Sequence, residues 1–136
     1  MSHRELDLRP HVYYIEGDDS VRSTVAIELT NLGVDVGLIA MSLAHVVQQI
    51  EAGHVREFRP HVAIVGEAFV DGHGSQVQPI FRRSGLALPS IAYTTKPVFW
   101  HHTFGFCQSP NIPLLKQKID QVIAHAPAPS QTRRRS

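Results

Sequence analysis

An α/β fold built on a five-stranded parallel sheet is what this sequence predicts, and three observations carry the prediction. Short apolar runs recur along the chain: VYYI at 12–15, GLIA at 37–40, VAIV at 62–65 and SIAY at 90–93. Each is strand-length and mostly apolar, the pattern of a strand buried on both faces. Between them lie stretches with apolar residues at helical spacing. Strands alternating with helices close into a parallel sheet with right-handed crossovers and helices on both faces.

The elements follow in order. Residues 1–10 are polar and form an N-terminal extension, and residues 11–16 form the first strand. Asp18, Asp19 or Ser20 can cap the next helix, where Val21, Val25, Leu29 and Leu32 share one face and Gly33 ends it. A second strand spans 34–40. Ser42 then caps a helix with Leu43, Val46, Val47 and Ile50 on one face and Gly53 as its stop. The third strand is 61–66. The helix around 76–84 contains Pro79, which removes a backbone donor, so it is expected to be short or to start late.

LPSIAYTT supplies a fourth strand at 89–94, and TFGFCQ a fifth near 104–108. Only 11 residues separate Thr94 from Phe106, too few for a loop, a full helix and a turn. The fourth helix is therefore expected to be shortened or missing. Asn111 caps the last helix, with Pro113 in its first turn and Ile112, Leu115, Ile119 and Val122 facing inward. The domain thus spans 11–125. Residues 126–136, APAPSQTRRRS, have the composition of a disordered basic tail.

Strand and helix order together predict a flavodoxin-like three-layer sandwich with strand order 2-1-3-4-5. In that order the first and third strands are neighbours. Their ends, IEG at 15–17 and VGE at 65–67, then open at the same sheet edge. Ligands of open α/β sheets bind outside the carboxyl ends of the strands, so the glycines there bear on function.

Bulk properties narrow the function classes. A formal net charge of +1 gives no global pull toward nucleic acid or membrane, and Arg133, Arg134 and Arg135 read as a solvated end. No apolar run is long enough to span a membrane, and no signal peptide precedes the first strand, so neither a membrane nor a nucleic-acid partner is expected. The lone cysteine, Cys107, forms no internal disulfide, which fits a cytoplasmic protein. His101 and His102 are adjacent, but no Cys or His pair has zinc-finger spacing, and no metal site or cofactor is expected. DGHGS at 71–75 reads as a glycine-rich turn. The chain has no G-x-S-x-G, G-x-G-x-x-G or Walker loop.

Four segments together resemble the receiver domain of two-component response regulators, the CheY-like family, over roughly residues 10–124. YYIEGDDSVRSTVAIEL is similar to the family's first strand, acidic loop and first helix. RPHVAIVGEAFVDGHG is similar to its third strand and following loop, LPSIAYTT to the strand with the switch threonine, and GFCQSPN to the strand with the lysine–proline pair. The resemblance implies phosphoryl transfer to an aspartate at the end of the third strand. Magnesium held by two acidic residues, a lysine and a hydroxyl would assist it.

Carried over residue by residue, most of those parts are missing. The acceptor position is Gly66, the paired acidic positions are Glu16 and Gly17, and the lysine position is Ser109. Thr94 keeps the hydroxyl and Phe106 the aromatic switch position. Asp18 and Glu67 each stand one residue past an acidic position. A one-residue slip, however, turns every side chain of a strand to the other face. TTKP at 94–97 places Lys96 after the fourth strand instead of the fifth.

The sequence therefore predicts a stand-alone pseudo-receiver: a non-enzymatic signalling domain that binds a partner protein, or a second copy of itself, without being phosphorylated. The alternative is a small-ligand or metal sensor using the emptied pocket. PVFWHHTFGF at 97–106 supplies the candidate interface, Phe99, Trp100, Phe104 and Phe106. Aromatic rings bury large areas at small entropic cost, and interfaces favour them.

Overall fold

Five parallel strands form one sheet in the order β2-β1-β3-β4-β5 in the computed structural model, which describes residues 9–69, 74–96 and 105–125. They are β1 (His11–Ile15), β2 (Asp35–Ala40), β3 (Val62–Gly66), β4 (Ser90–Thr94) and β5 (Phe106–Gln108). The helices among the described residues are α1 (Asp19–Asn31), α2 (Leu43–Glu51), α3 (His54–Phe58), α4 (Val77–Arg83) and α5 (Ile112–His125). Single 3-10 turns at Glu67–Phe69 and Gly74–Gln76 follow β3.

Each strand face has its own core. Val12 and Tyr14 of β1, Val62 and Ile64 of β3, and Ile91 and Tyr93 of β4 face α1 and α5, where Val25, Leu29, Leu115, Ile119 and Val122 meet them. The intervening residues Tyr13, Ile15, Ala63 and Val65 face α2, α3 and α4, packing with Val46, Val55, Val77, Ile80 and Phe81. Strand alternation sends successive side chains to opposite layers. That explains why β1, β3 and β4 are buried and mostly apolar along their length.

Capping sets the helix starts. Asp18, of the three candidates, caps α1, its side chain accepting from the Ser20 and Val21 amides. Ser42 caps α2, and Asn111 Oδ1 accepts from the Leu114 amide at 3.0 Å to start α5. Pro79 stands in the first turn of α4, where no intrahelical donor is required, and the helix is seven residues long. A short helix there is the outcome the proline implies.

Two expectations need correction. The inward face of α1 is narrower than its spacing suggests, since Val21 and Leu32 are 42% and 45% exposed. Leu32 lies past the last helical residue, as C-cap, and Val21 borders an open pocket described below. Gly53 does end α2, but with φ 82° it also begins α3, which the sequence reading passed over. This short helix buries Val55 and sets Phe58 beside Gly37, where an added Cβ would lie 2.7 Å from the Phe58 ring. The N-terminal extension up to residue 8, the tail at 126–136, DGHGS up to residue 73, and the segment 97–104 lie outside the described residues. The expected shortening of the fourth helix falls in that last segment.

Candidate functional site at the carboxyl edge of the sheet

The register of β1 on β3 pairs Ile15 with Val65, which sets the next residues, Glu16 and Gly66, side by side at the sheet edge. Glu16 is 1% exposed, and Gly66 is buried. A Cβ built on Gly66 would fall 1.8 Å from Glu16 Oε1 and 2.7 Å from its Cδ. The Glu16 carboxyl thus stands where a side chain at position 66 would begin. Glycine at 66 is required for this packing.

One oxygen of Glu16 is well held. Oε2 accepts from the Asp18 amide at 2.9 Å, while buried Oε1 has no hydrogen bond within the geometric limits among the described residues. Burial pushes the carboxyl above the ordinary carboxylate range, and the nearby amides of Asp18, Ala68 and Glu67 oppose the shift. Arg22 Nη1 donates to the Glu16 carbonyl at 3.0 Å, and its Nη2 pairs with Asp19. The only basic group reaching this loop is therefore directed at the backbone and at Asp19 among the described residues.

The other predicted positions surround this pair. Gly17 is exposed, and a Cβ there would crowd Ala68 Cβ at 3.2 Å and the Met41 carbonyl at 3.3 Å. Asp18 Oδ1 accepts from the Val21 and Ser20 amides and from Ser20 Oγ, bonds that hold its carboxyl below the usual carboxylate range. Thr94 is buried and donates its hydroxyl to the Lys96 carbonyl at 2.5 Å. Ser109, whose amide donates to the Thr94 carbonyl at 2.8 Å, precedes a cis Pro110 and lines the pocket. Phe106 is half-buried on β5, and the other three interface candidates, Phe99, Trp100 and Phe104, lie outside the described residues.

Glu67, one residue past the acceptor position, is engaged by the neighbouring strand end. Its Oε1 accepts from the Thr95 amide at 2.9 Å and its Oε2 from the Thr95 hydroxyl at 2.6 Å. This bidentate clamp ties the turn after β3 to the end of β4. Sequence reading singled out Thr94 and missed Thr95. Alternation along β4 was the available signal, because adjacent threonines at a strand end point opposite ways. Glu28 and Tyr93, which also line the pocket, gave no sequence signal beyond their helix and strand positions.

The pocket encloses about 580 Å³ between α1, the turns after β1 and β3, and the end of β4. Carboxylates of Glu16, Asp18, Glu28 and Glu67 line it, together with an apolar wall that includes Val21, Val25 and Tyr93. No lysine, arginine or histidine lines it among the described residues. The magnesium ion that the receiver resemblance implies does not fit these residues. Glu16 is turned onto Gly66, Gly17 has no side chain, and no three acidic, His or Cys groups converge among the described residues. A phosphoryl group would meet carboxylates and no cation.

No family model matches the chain, and no curated protein matches it significantly. Solved structures do. FixJ-N superposes with a TM-score of 0.69 at 17% identity, covering 88% of this chain and 97% of that one. The signal receiver domain of a modulated diguanylate cyclase from Desulfovibrio desulfuricans G20 gives 0.66 at 21% identity, over 85% and 94% of the two chains. A CheY-like response regulator receiver domain protein from Methanospirillum hungatei JF-1 gives 0.62 at 14%, over 87% and 99%. Strand order, layer arrangement and these superpositions agree: the chain has the fold of the response-regulator receiver domains.

Proposed function

We propose that this protein is a signalling domain of receiver type that acts through protein–protein contact without being phosphorylated. The observation that carries the reading is the Glu16 carboxyl lying against Gly66. A nucleophile is absent at that position, and the space it would need is filled by a side chain of the same charge as the incoming group. Loss of the lysine position to Ser109 removes the cation that would neutralise the transferring phosphoryl oxygens. The Glu67–Thr95 clamp supports a constitutive state, since it joins the ends of β3 and β4 with no added group.

Incubation of the full chain with acetyl phosphate, or with beryllofluoride, in the presence of magnesium should leave its intact mass and its amide NMR spectrum unchanged. A stoichiometric, acid-stable gain in mass, or a magnesium-dependent spectral shift, would overturn the reading. The aromatic segment 97–106 is the proposed contact surface, for a partner protein or a second copy. Replacing Trp100 by Ala should weaken self-association, followed by analytical ultracentrifugation, by about 2 kcal/mol, the scale of an aromatic hot spot. An unfolded variant, or a monomeric parent chain that captures no partner, would count against that surface.

A further inference from the structure

We propose that the amino edge of the sheet carries a docking site for an acidic segment of a partner protein, built from Arg56, Arg59, Arg82 and Arg83. The connections from α3 to β3 and from α4 to β4 enter neighbouring strands, where Ala63 pairs with Ser90, and they bring the ends of α3 and α4 together. Arg56 Nη2 donates to the Ser84 carbonyl at 2.7 Å, beside Gly85 with its φ of 75°. Arg82 and Arg83, in the last turn of α4, immediately precede Ser84. All four arginines are exposed. Arg59, Arg82 and Arg83 make no side-chain hydrogen bond or ion pair among the described residues, and Arg56 bonds that carbonyl alone.

The helix end does not use up this charge. A helix C-terminus carries about half a negative charge, less than one guanidinium group supplies. Glu57, the acidic residue of α3, forms no ion pair among the described residues. Arg59 adds an independent observation. It is the only non-glycine residue at positive φ among the described residues, with φ 56° and ψ 60°. Glycine would hold that turn without strain, so an exposed cation kept there points to a role for its charge. Guanidinium groups bind carboxylates through paired N–H donors, which suits aspartate and glutamate side chains. A lipid surface fits less well, because the exposed large hydrophobic residues belong to α1, its cap and the end of β2, and none stands here to insert. A formal net charge of +1 gives no wider field to hold a nucleic-acid backbone. The inference rests on the protein-contact reading and adds a surface separate from 97–106. Beryllofluoride and Trp100→Ala test that reading and peptide titration tests this one, so the two can fail separately.

The full chain is titrated by calorimetry and amide NMR with a blocked hexaglutamate peptide, with a short DNA duplex and with phosphatidylserine vesicles. Saturable peptide binding is expected, with a Kd near or below about 1 mM and shifts centred on 56–59 and 82–86. Arg82→Ser combined with Arg83→Ser, still folded by circular dichroism, should weaken it about 3- to 10-fold. Added sodium chloride should weaken it further. Arg59→Gly supplies a readout that a merely structural arginine would not move in this way: the affinity falls while the urea midpoint holds or rises. The arginines of the tail serve as the control, since replacing Arg133, Arg134 and Arg135 together by Ser should leave the same shifts in place. The inference fails if the peptide does not saturate, if the duplex or the vesicles bind more tightly, if the Arg82 and Arg83 variant keeps the parent's affinity, or if the tail variant loses the binding.

Discussion

Glu16 is buried with one carboxylate oxygen hydrogen-bonded and the other without a donor among the described residues, a costly way to place a charge inside a protein. Its raised pKa has a definite consequence for stability. The folded state holds the Glu16 proton more tightly than the unfolded chain does. This contribution is therefore complete below the ordinary value of 4.5 and is lost as pH rises through the folded pKa. Above its folded pKa the ionised group no longer contributes, and only glycine at 66 leaves room for the carboxyl. That dependence can be measured by a double-mutant cycle. Gly66→Ala alone forces the carboxyl away from the Asp18 amide and should cost about 1–2 kcal/mol. In a Glu16→Ala background the clash with the carboxyl is gone and only the Cβ of residue 16, at 3.2 Å, remains, so the same change should cost clearly less. Equal costs in the two backgrounds, read from urea unfolding, would show that the two positions do not share this space.

At the scale of elements, five strands and most helices were legible because their signals are local. A strand buried on both faces must be apolar at every position, and caps such as Ser42 and Asn111 announce helix starts. What was hidden depends on tertiary contact. α3 spans five residues, less than two turns, so no periodicity could reveal it, and its place is set by Val55 and by Phe58 against Gly37. Gln49 reads as an exposed helix residue, yet it is buried. It accepts from the Tyr13 hydroxyl at 2.6 Å and donates to the Ile39 carbonyl at 2.8 Å, which ties α2 to β1 and β2. The site divides in the same way. Missing groups at 17, 66 and 109 could be read from residue identity. The turn of Glu16 onto Gly66 is a rotamer choice, and although alternation along β4 sets Thr95 apart from Thr94, its pairing with Glu67 across 28 residues leaves no mark in the sequence.

For the whole molecule, the buried titratable groups set opposite limbs of a stability–pH curve. On the acid side stands His61, held below its ordinary 6.5 first by burial and then by the nearby His11. Its Nδ1 accepts from the His11 amide at 3.0 Å, so protonation there breaks a bond. The stability it contributes is present above 6.5 and is lost as pH falls through the lower folded value. Glu16, shifted upward, acts in the opposite direction as pH falls. On the alkaline side, burial pushes Tyr13, Tyr14, Tyr93 and Cys107 all upward. Each keeps its proton in the folded state after the unfolded chain has released it, so their contributions are lost as pH rises past 9–10, the ordinary Cys and Tyr values. One proton corresponds to a slope of at most about 1.4 kcal/mol per pH unit. Four groups acting in one direction should outweigh one histidine opposed by a carboxyl, and the alkaline limb should be the steeper. Urea midpoints at about pH 5.5, 7.5 and 10.5 should therefore fall on both sides of neutrality, and further at the alkaline end. Tyr14 gives the sharpest test because its hydroxyl is buried without a hydrogen-bond partner among the described residues. Tyr14→Phe should match or exceed the parent at neutral pH, since it removes an unpaired polar group, and should flatten the alkaline fall. If the variant loses stability at neutral pH and keeps the parent's alkaline slope, the Tyr14 hydroxyl is bonded in solution and burial is not what raises its pKa.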